Sequence, residues 1–226
     1  MIHASTNGSP TSQGAMRRAE TVPPQPSTPT ARARLKSATD PVHKRLDADL
    51  SGFDLSDVAQ YGRFLLVQAR ALPPIEDALA AADDRSGFDV SSFGRAPARR
   101  SEALFADLEG LSVAPPAPLS IEPFGGAEAW GVAYVLEGSR LGGRVLARRA
   151  VEGGHDRVAS NMRFLVATPS VSWRGFLERM EEALATVQDV ERATVGARMA
   201  FDAFAQGLEL VRDGPERRAT KREAAA

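Results

Sequence analysis

The chain carries three histidines and no cysteine, so thiolate chemistry is absent and imidazole chemistry has few possible seats. His3 lies in a stretch rich in Gly, Pro, Ser and Thr, and His155 in the polar run EGGHDR. His43 alone, in LKSATDPVHKRLDADL, falls on a helical pattern. Asp47 follows it by four residues, one turn on and on the same face, where a carboxylate can orient or polarise an imidazole. Lys36 precedes it by seven, about 10.5 Å along an unbroken helix with only about 20° of rotation. One face would then present a cation, an imidazole and a carboxylate. Spacing alone equally describes a half-buried helix histidine with solvated neighbours, and that plainer alternative is the more frequent one. Pro41 also bears on the trio. It has no N–H for the carbonyl of Ser37, so the helix is expected to kink or restart there. Thr39 or Asp40 would cap the new helix, and Lys36 would leave the His43 face.

A second constellation lies in WGVAYVLEGSRLGGRVLARR, with glycines at 131, 138, 142 and 143. Four helical glycines cost about 3–4 kcal/mol against alanine, so some contact must compensate. At 100° per residue Gly131, Gly138 and Gly142 fall within about 40° of one another. Either another helix packs closely on that face, or a flat ligand lies against bare backbone. A phosphate-binding loop does not fit, since no strand-linked GxGxxG and no GK[ST] is present. On the opposite side Arg140, Arg144 and Arg148 repeat every four residues. Such a row reads first as a solvated face, and second as a docking strip for an acidic electron-transfer protein. No Ser-His-Asp set can be assembled from these histidines, and the paired Glu-x-x-His motifs of a helical di-iron site are missing.

The elements that must position these residues read as helices throughout. The 226 residues are 43% hydrophobic and 25% charged, an ordinary globular composition. Lys+Arg (28) nearly cancel Asp+Glu (29), which speaks against nucleic acid or an anionic membrane as main partner. No apolar run is long enough to span a bilayer, and no secretory signal is read at the N-terminus. With the lack of cysteine, this fits a cytoplasmic protein. Residues 1–30 have too few large apolar side chains to offset the entropy of ordering and are expected to be a disordered tail. Residues 213–226 follow a Gly-Pro stop and are expected to fray. Between them, 31–212 should form one all-α domain. Residues 57–72 place Val58, Tyr61, Leu65, Gln68 and Leu72 on one stripe, with a break expected at Pro73-Pro74. Residues 98–109 carry a second apolar face of Ala103, Leu104, Leu108 and Leu111. A Pro/Gly connector (114–126) precedes helices expected near 127–150, 156–166, 172–187 and 190–211.

Taken together, LKSATDPVHKRLDA (35–48) and YVLEGSRLGG (134–143) resemble the proximal segment, of form LK-x-AT-x-x-VH, and the glycine-rich distal helix of the heme oxygenases. The likeness is greatest to the bacterial branch that supplies biliverdin to phytochromes, and it covers about residues 31–212. It implies an all-helical fold with heme sandwiched between the two segments. It further implies that His43 is the axial ligand of the heme iron, that Asp47 stands at the family's acidic position beside it, and that Lys36 helps hold a heme propionate. Gly138 and Gly142 would let the macrocycle lie against the distal helix. Ser139 stands where the animal enzymes have a distal aspartate that organises water, and a hydroxyl can hold water without carrying that charge. Arg163, Arg174 and Tyr134 are candidates for further propionate contacts. The implied activity is oxidative opening of heme to biliverdin with release of CO and ferrous iron. Heme is then both cofactor and substrate, and O2 and an external electron donor are consumed. A ferredoxin- or flavodoxin-like reductant and a biliverdin-accepting bacterial phytochrome are the implied partners. The alternative is a non-catalytic heme carrier of the same fold.

Overall fold

The computed structural model describes residues 29–86, 99–152, 155–168 and 172–214. Eight helices are present among them: α1 (Ala31–Leu50), α2 (Val58–Ser86), α3 (Arg100–Gly110), α4 (Ala127–Glu152), α5 (Asp156–Ala159), α6 (Arg163–Val166), α7 (Trp173–Ala183) and α8 (Val187–Arg212). No strand occurs among the described residues, as the all-α expectation required. The two expected tails lie outside them except for Pro29, Thr30, Asp213 and Gly214, with Thr30 serving as N-cap of α1 and Asp213 as C-cap of α8. No described helix is long and apolar enough to cross a membrane.

The long helix α8 forms the spine of the fold, packing on α4, α2 and α1. Small residues make this possible. Ala193, Ala197 and Ala200 are fully buried. A Cβ on Gly196 would stand 2.1 Å from the carbonyl oxygen of Glu128, and one on Gly131 would stand 1.7 Å from that of Ala193. The α4–α8 crossing therefore depends on glycine on both helices. The stripe of α2 enters the core as its spacing predicts: Tyr61, Leu65, Gln68 and Leu72 are buried, and Val58 is half-buried. The Tyr61 hydroxyl donates to the carbonyl of Asn161 (2.9 Å), and burial pushes its pKa well up.

Three boundaries differ from expectation. The helix α1 runs unbroken through Pro41, so Thr39 is not a cap but a buried interior residue whose hydroxyl donates to Leu35 O (2.8 Å). Beside the proline, the Arg198 guanidinium donates to the carbonyl of Ala38 (3.3 Å). Likewise α2 continues through Pro73 and Pro74. Pro74 frees the carbonyl of Arg70, and the N–H of Leu119 in the connector takes it up at 2.8 Å, so tertiary bonding supplies what the proline removes. Finally, the helix expected over 156–166 is two single turns, α5 and α6, separated around Asn161.

Candidate functional site

The helix bearing His43 is anchored at its N-terminus from two directions. Thr30 Oγ1 accepts from the N–H of Ala33 (3.2 Å). Glu181, on α7, accepts from the N–H of Ala31 (2.8 Å) and of Arg32 (2.9 Å). Three of the four amides left orphaned by helix geometry are thus satisfied. Because α1 is continuous, Lys36 and His43 share a face after all, both exposed. His43 Nε2 lies 3.2 Å from Asp47 Oδ2, with the two side chains 56% and 64% exposed. On its inner side the imidazole tilts against Phe201 of α8, centroids 5.3 Å apart. The imidazole is therefore accessible, carboxylate-paired and backed by an aromatic ring.

On α4 the four glycines divide into two kinds. Gly131 packs on α8 as described, and a Cβ on Gly143 would stand 2.6 Å from the carbonyl oxygen of Leu165. For these two, close packing is the explanation. Among the described residues, a Cβ at Gly142 would meet nothing within 4 Å, and one at Gly138 only the Trp173 ring edge, Cη2 at 3.7 Å. These two glycines leave bare backbone that no described helix fills. Tyr134, Leu141 and Val145 stand on the same stripe at spacings of three and four, and Leu141 and Val145 are about half exposed (48% and 50%). Exposed apolar side chains beside uncovered glycine backbone make a surface on which a flat, apolar ligand could lie.

Beneath this helix lies a buried ionic cluster that the sequence did not reveal. Arg140 is not on a solvated face; it is buried, with Nε donating to Glu137 Oε1 at 3.0 Å. Arg144 and Arg148 are exposed, as expected. Arg100, at the start of α3, is buried with its guanidinium 4.3 Å from the Phe164 ring centroid, and NH1 donates to Ser139 Oγ (2.7 Å). Its pKa is pulled down to about 10, by burial first and then by the charge of Arg140, with Glu76 and Glu137 opposing. Glu76, on α2, accepts from the N–H of Arg100 (2.8 Å) and the hydroxyl of Ser101 (2.6 Å), capping α3 from outside. Burial raises the Glu137 carboxyl above its usual range, and Arg140 works against that. Ser139 also donates to Leu136 O (2.7 Å). Its proton is spent within the protein, and only a lone pair remains for solvent. The i,i+3 pair Glu137–Arg140 was the one signal for this cluster visible in sequence; nothing local tied Arg100 to Ser139.

The other sequence candidates are scattered. Arg163 donates its backbone N–H to Asp107 Oδ1 (3.0 Å), and its guanidinium lies 3.5 Å from the same carboxylate, at the α3–α6 contact. Arg174 is exposed and donates to Glu178 (2.9 Å). Tyr134 is half-buried and tilted against Trp173, centroids 5.6 Å apart; burial raises its pKa and the charge of Arg32 opposes this. His155 caps α5, with Nδ1 accepting from the N–H of Arg157 (3.3 Å). Among the described residues no group of three His, Asp or Glu side chains could hold a bare metal ion.

No protein-family model matches this chain. Over 110 residues, 47% of this chain and 65% of the relative, it is 34% identical to a heme oxygenase of Xanthomonas campestris pv. campestris (strain 8004). The match spans slightly less than two thirds of that relative's length. In three dimensions the chain resembles the crystal structures of the NO- and CO-bound heme oxygenase from Neisseria meningitidis. The TM-score is 0.63, with 24% identity, over 81% of this chain and 92% of that one. The chain has the all-α fold of a heme oxygenase.

Proposed function

We propose that this protein is a heme oxygenase that opens heme to biliverdin, releasing CO and ferrous iron. The observation that carries this reading is the division of the glycines. Gly131 and Gly143 are filled by neighbouring backbone, whereas Gly138 and Gly142 are left uncovered on the stripe that also bears Leu141 and Val145. Bound heme would supply both the iron at which O2 is activated and the ring that is oxidised.

The chain's own residues divide the remaining work. His43 would hold the iron through its exposed imidazole, whose close polar neighbour among the described residues is Asp47. A turn of the side chain would free Nε2 for iron and leave the Asp47 carboxylate beside the imidazole, where it could hold a water or the ring. Lys36, exposed on the same face of the unbroken helix, would pair with a propionate. Arg174 can exchange Glu178 for the second propionate, since an exposed pair is weakly held. Tyr134 would flank the macrocycle. Arg163 is committed to Asp107, and we assign it to holding α6 rather than heme. Gly138 and Gly142 admit the ring against backbone. Ser139, with its proton spent on Leu136 and Arg100 donating to its oxygen, can hold a distal water only as acceptor. The Ser139 hydroxyl would therefore position water rather than give up its own proton.

Electrons would come from a ferredoxin- or flavodoxin-like donor, for which the exposed Arg144 and Arg148 on α4 provide a cationic strip. A cytoplasmic bacterial phytochrome is the acceptor we infer for biliverdin. The test is heme titration of the purified protein, then reduction in air with product chromatography. A one-to-one Soret band that gives way to a bilin spectrum is expected. A stable Soret band without bilin would make it a heme carrier, and no Soret band would overturn the reading altogether.

A further inference from the structure

One helix touches both of the helices that carry the proposed heme residues. Near its C-terminal end, α7 places Glu181 on the first two amides of α1, the helix of His43. At its first residue, α7 places Trp173 Cη2 3.7 Å from the position of a Gly138 Cβ. The indole is fixed on two sides. It stacks on Phe176 (centroids 5.5 Å, planes 17° apart) and tilts against Tyr134 (5.6 Å, 38°). The remaining side is partly exposed and presents the benzo edge to the glycine stripe. One turn along α4, nothing among the described residues stands within 4 Å of a Cβ on Gly142. The stripe is thus walled at Gly138 and open at Gly142.

We propose that Trp173 is a specificity-determining residue, whose benzo edge meets the periphery of the macrocycle and selects its in-plane seating. This rests on the heme reading above. A bond to His43 and contact with glycine backbone would be the same for every rotation of the ring about the iron axis and for its flipped orientation. Only a contact at the periphery tells a methyl, a vinyl and a propionate apart. A rigid apolar edge accepts the first two and rejects a carboxylate that has no partner there. The seating it selects decides which meso bridge faces the bound oxygen, and so which biliverdin isomer forms. The indole suits the task because two aromatic neighbours restrict its rotamers.

The test uses the full chain with Trp173→Leu and the milder Trp173→Phe, which keeps the stack on Phe176 but draws the edge back. Each protein is loaded with heme, and the resolved heme-methyl proton signals of the ferric cyanide complex give the ratio of seatings without turnover. The melting of each apo-protein is followed beside it. Trp173→Leu should change the seating ratio by roughly two- to tenfold, the range expected for losing one aromatic contact, and the biliverdin isomer ratio should follow it. Trp173→Phe should fall between. Should Trp173→Leu fail to fold, Trp173→Phe still gives the ratio. Folded, heme-loaded variants with the wild-type ratio, or a lowered melting point with no change of ratio, would overturn the role of Trp173 and leave the heme reading standing. A wild-type protein without a Soret band would overturn both.

Discussion

Arg100 donates a 2.7 Å hydrogen bond to Ser139 Oγ, joining the start of α3 to the middle of α4 across 39 residues. The guanidinium is buried and lies 4.3 Å from the Phe164 ring centroid. It therefore also bears on α6, while Glu76 of α2 caps the helix it starts. Four elements converge on one cation beneath the helix that carries Gly138 and Gly142. A bare helix segment needs such support, because glycines supply no side chains of their own to hold the backbone in place.

This support can be measured. Ser139→Ala removes an acceptor from a buried charged donor, a loss of about 1–3 kcal/mol. Arg100→Leu removes the buried cation altogether, while Glu137 keeps Arg140 and Glu76 keeps the Arg100 amide and the Ser101 hydroxyl, so it should cost about 1–3 kcal/mol through the lost bond to Ser139 and the lost charge. Urea melts of the apo-protein give both values. A Ser139→Ala midpoint equal to wild type would mean that Arg100 finds another acceptor and that the pair does not hold the helix.

The glycines separate in a second experiment. Gly131→Ala and Gly143→Ala place a Cβ 1.7 Å and 2.6 Å from carbonyl oxygens of neighbouring elements, so both should lower apo-protein stability by about 1–3 kcal/mol or more. Gly142→Leu starts in open space, so apo-protein melting should hold or rise slightly, since glycine in a helix is itself unfavourable; Gly138→Leu meets the Trp173 edge beyond its Cβ and should lose less stability than Gly131→Ala or Gly143→Ala. Heme affinity should fall in the second pair, because the added side chain stands where the ring would lie. Equal loss of apo-protein stability in all four would mean that the stripe is a packing surface.

Much of the fold was legible because helical periodicity and small-residue spacing are local signals. The α2 stripe from Tyr61 to Leu72 was visible in the sequence and is buried as expected. The prolines misled for a definite reason. Pro74 does remove a helical bond, but the lost partner returns from Leu119, whose approach to Arg70 no local pattern encodes. The proximal trio could be read from spacing once α1 was continuous. The buried pairing of Arg140 and the role of Arg100 could not, because an arginine at fourfold spacing looks solvated until tertiary contacts cover it. Likewise the four glycines look alike in sequence, and only neighbouring backbone distinguishes Gly143 from Gly142.

Asp107 offers a pH-dependent prediction. It is fully buried and accepts from the N–H of Arg163 (3.0 Å) and of Phe164 (2.8 Å). Burial raises its pKa despite these bonds and the charge of Arg163. With the folded pKa above the unfolded one, the folded state binds the proton more readily between the two values. Stability contributed by this group therefore falls as pH rises through that window and stays level above it. Asp107→Asn abolishes the titration. On acidification from neutral pH through the ordinary carboxylate range, wild type should gain melting temperature relative to the variant. A difference that stays constant with pH would show that Asp107 does not titrate in the folded state as its burial requires.

The last prediction concerns the pair on which the proposed chemistry turns. His43 Nε2 faces Asp47 at 3.2 Å while both side chains are largely exposed, so in the absence of heme the carboxylate competes for the nitrogen that iron would take. An exposed pair of this kind is worth about 0.2–1 kcal/mol. Asp47→Ala should therefore speed heme loading by no more than a few-fold, and should slow turnover if the carboxylate orients the bound imidazole. His43→Ala should leave the helical circular dichroism and melting nearly unchanged, because the residue lies on the surface of α1. It should weaken heme binding and abolish biliverdin formation, and added imidazole should restore part of the turnover by filling the vacated position. His155→Ala removes only the cap of a single-turn helix and should cost about 1 kcal/mol at most, with the Soret band intact. A His43→Ala protein with the wild-type Soret position and wild-type turnover would place the iron ligand elsewhere, and with two other histidines in the chain the search would move next to His155 and His3.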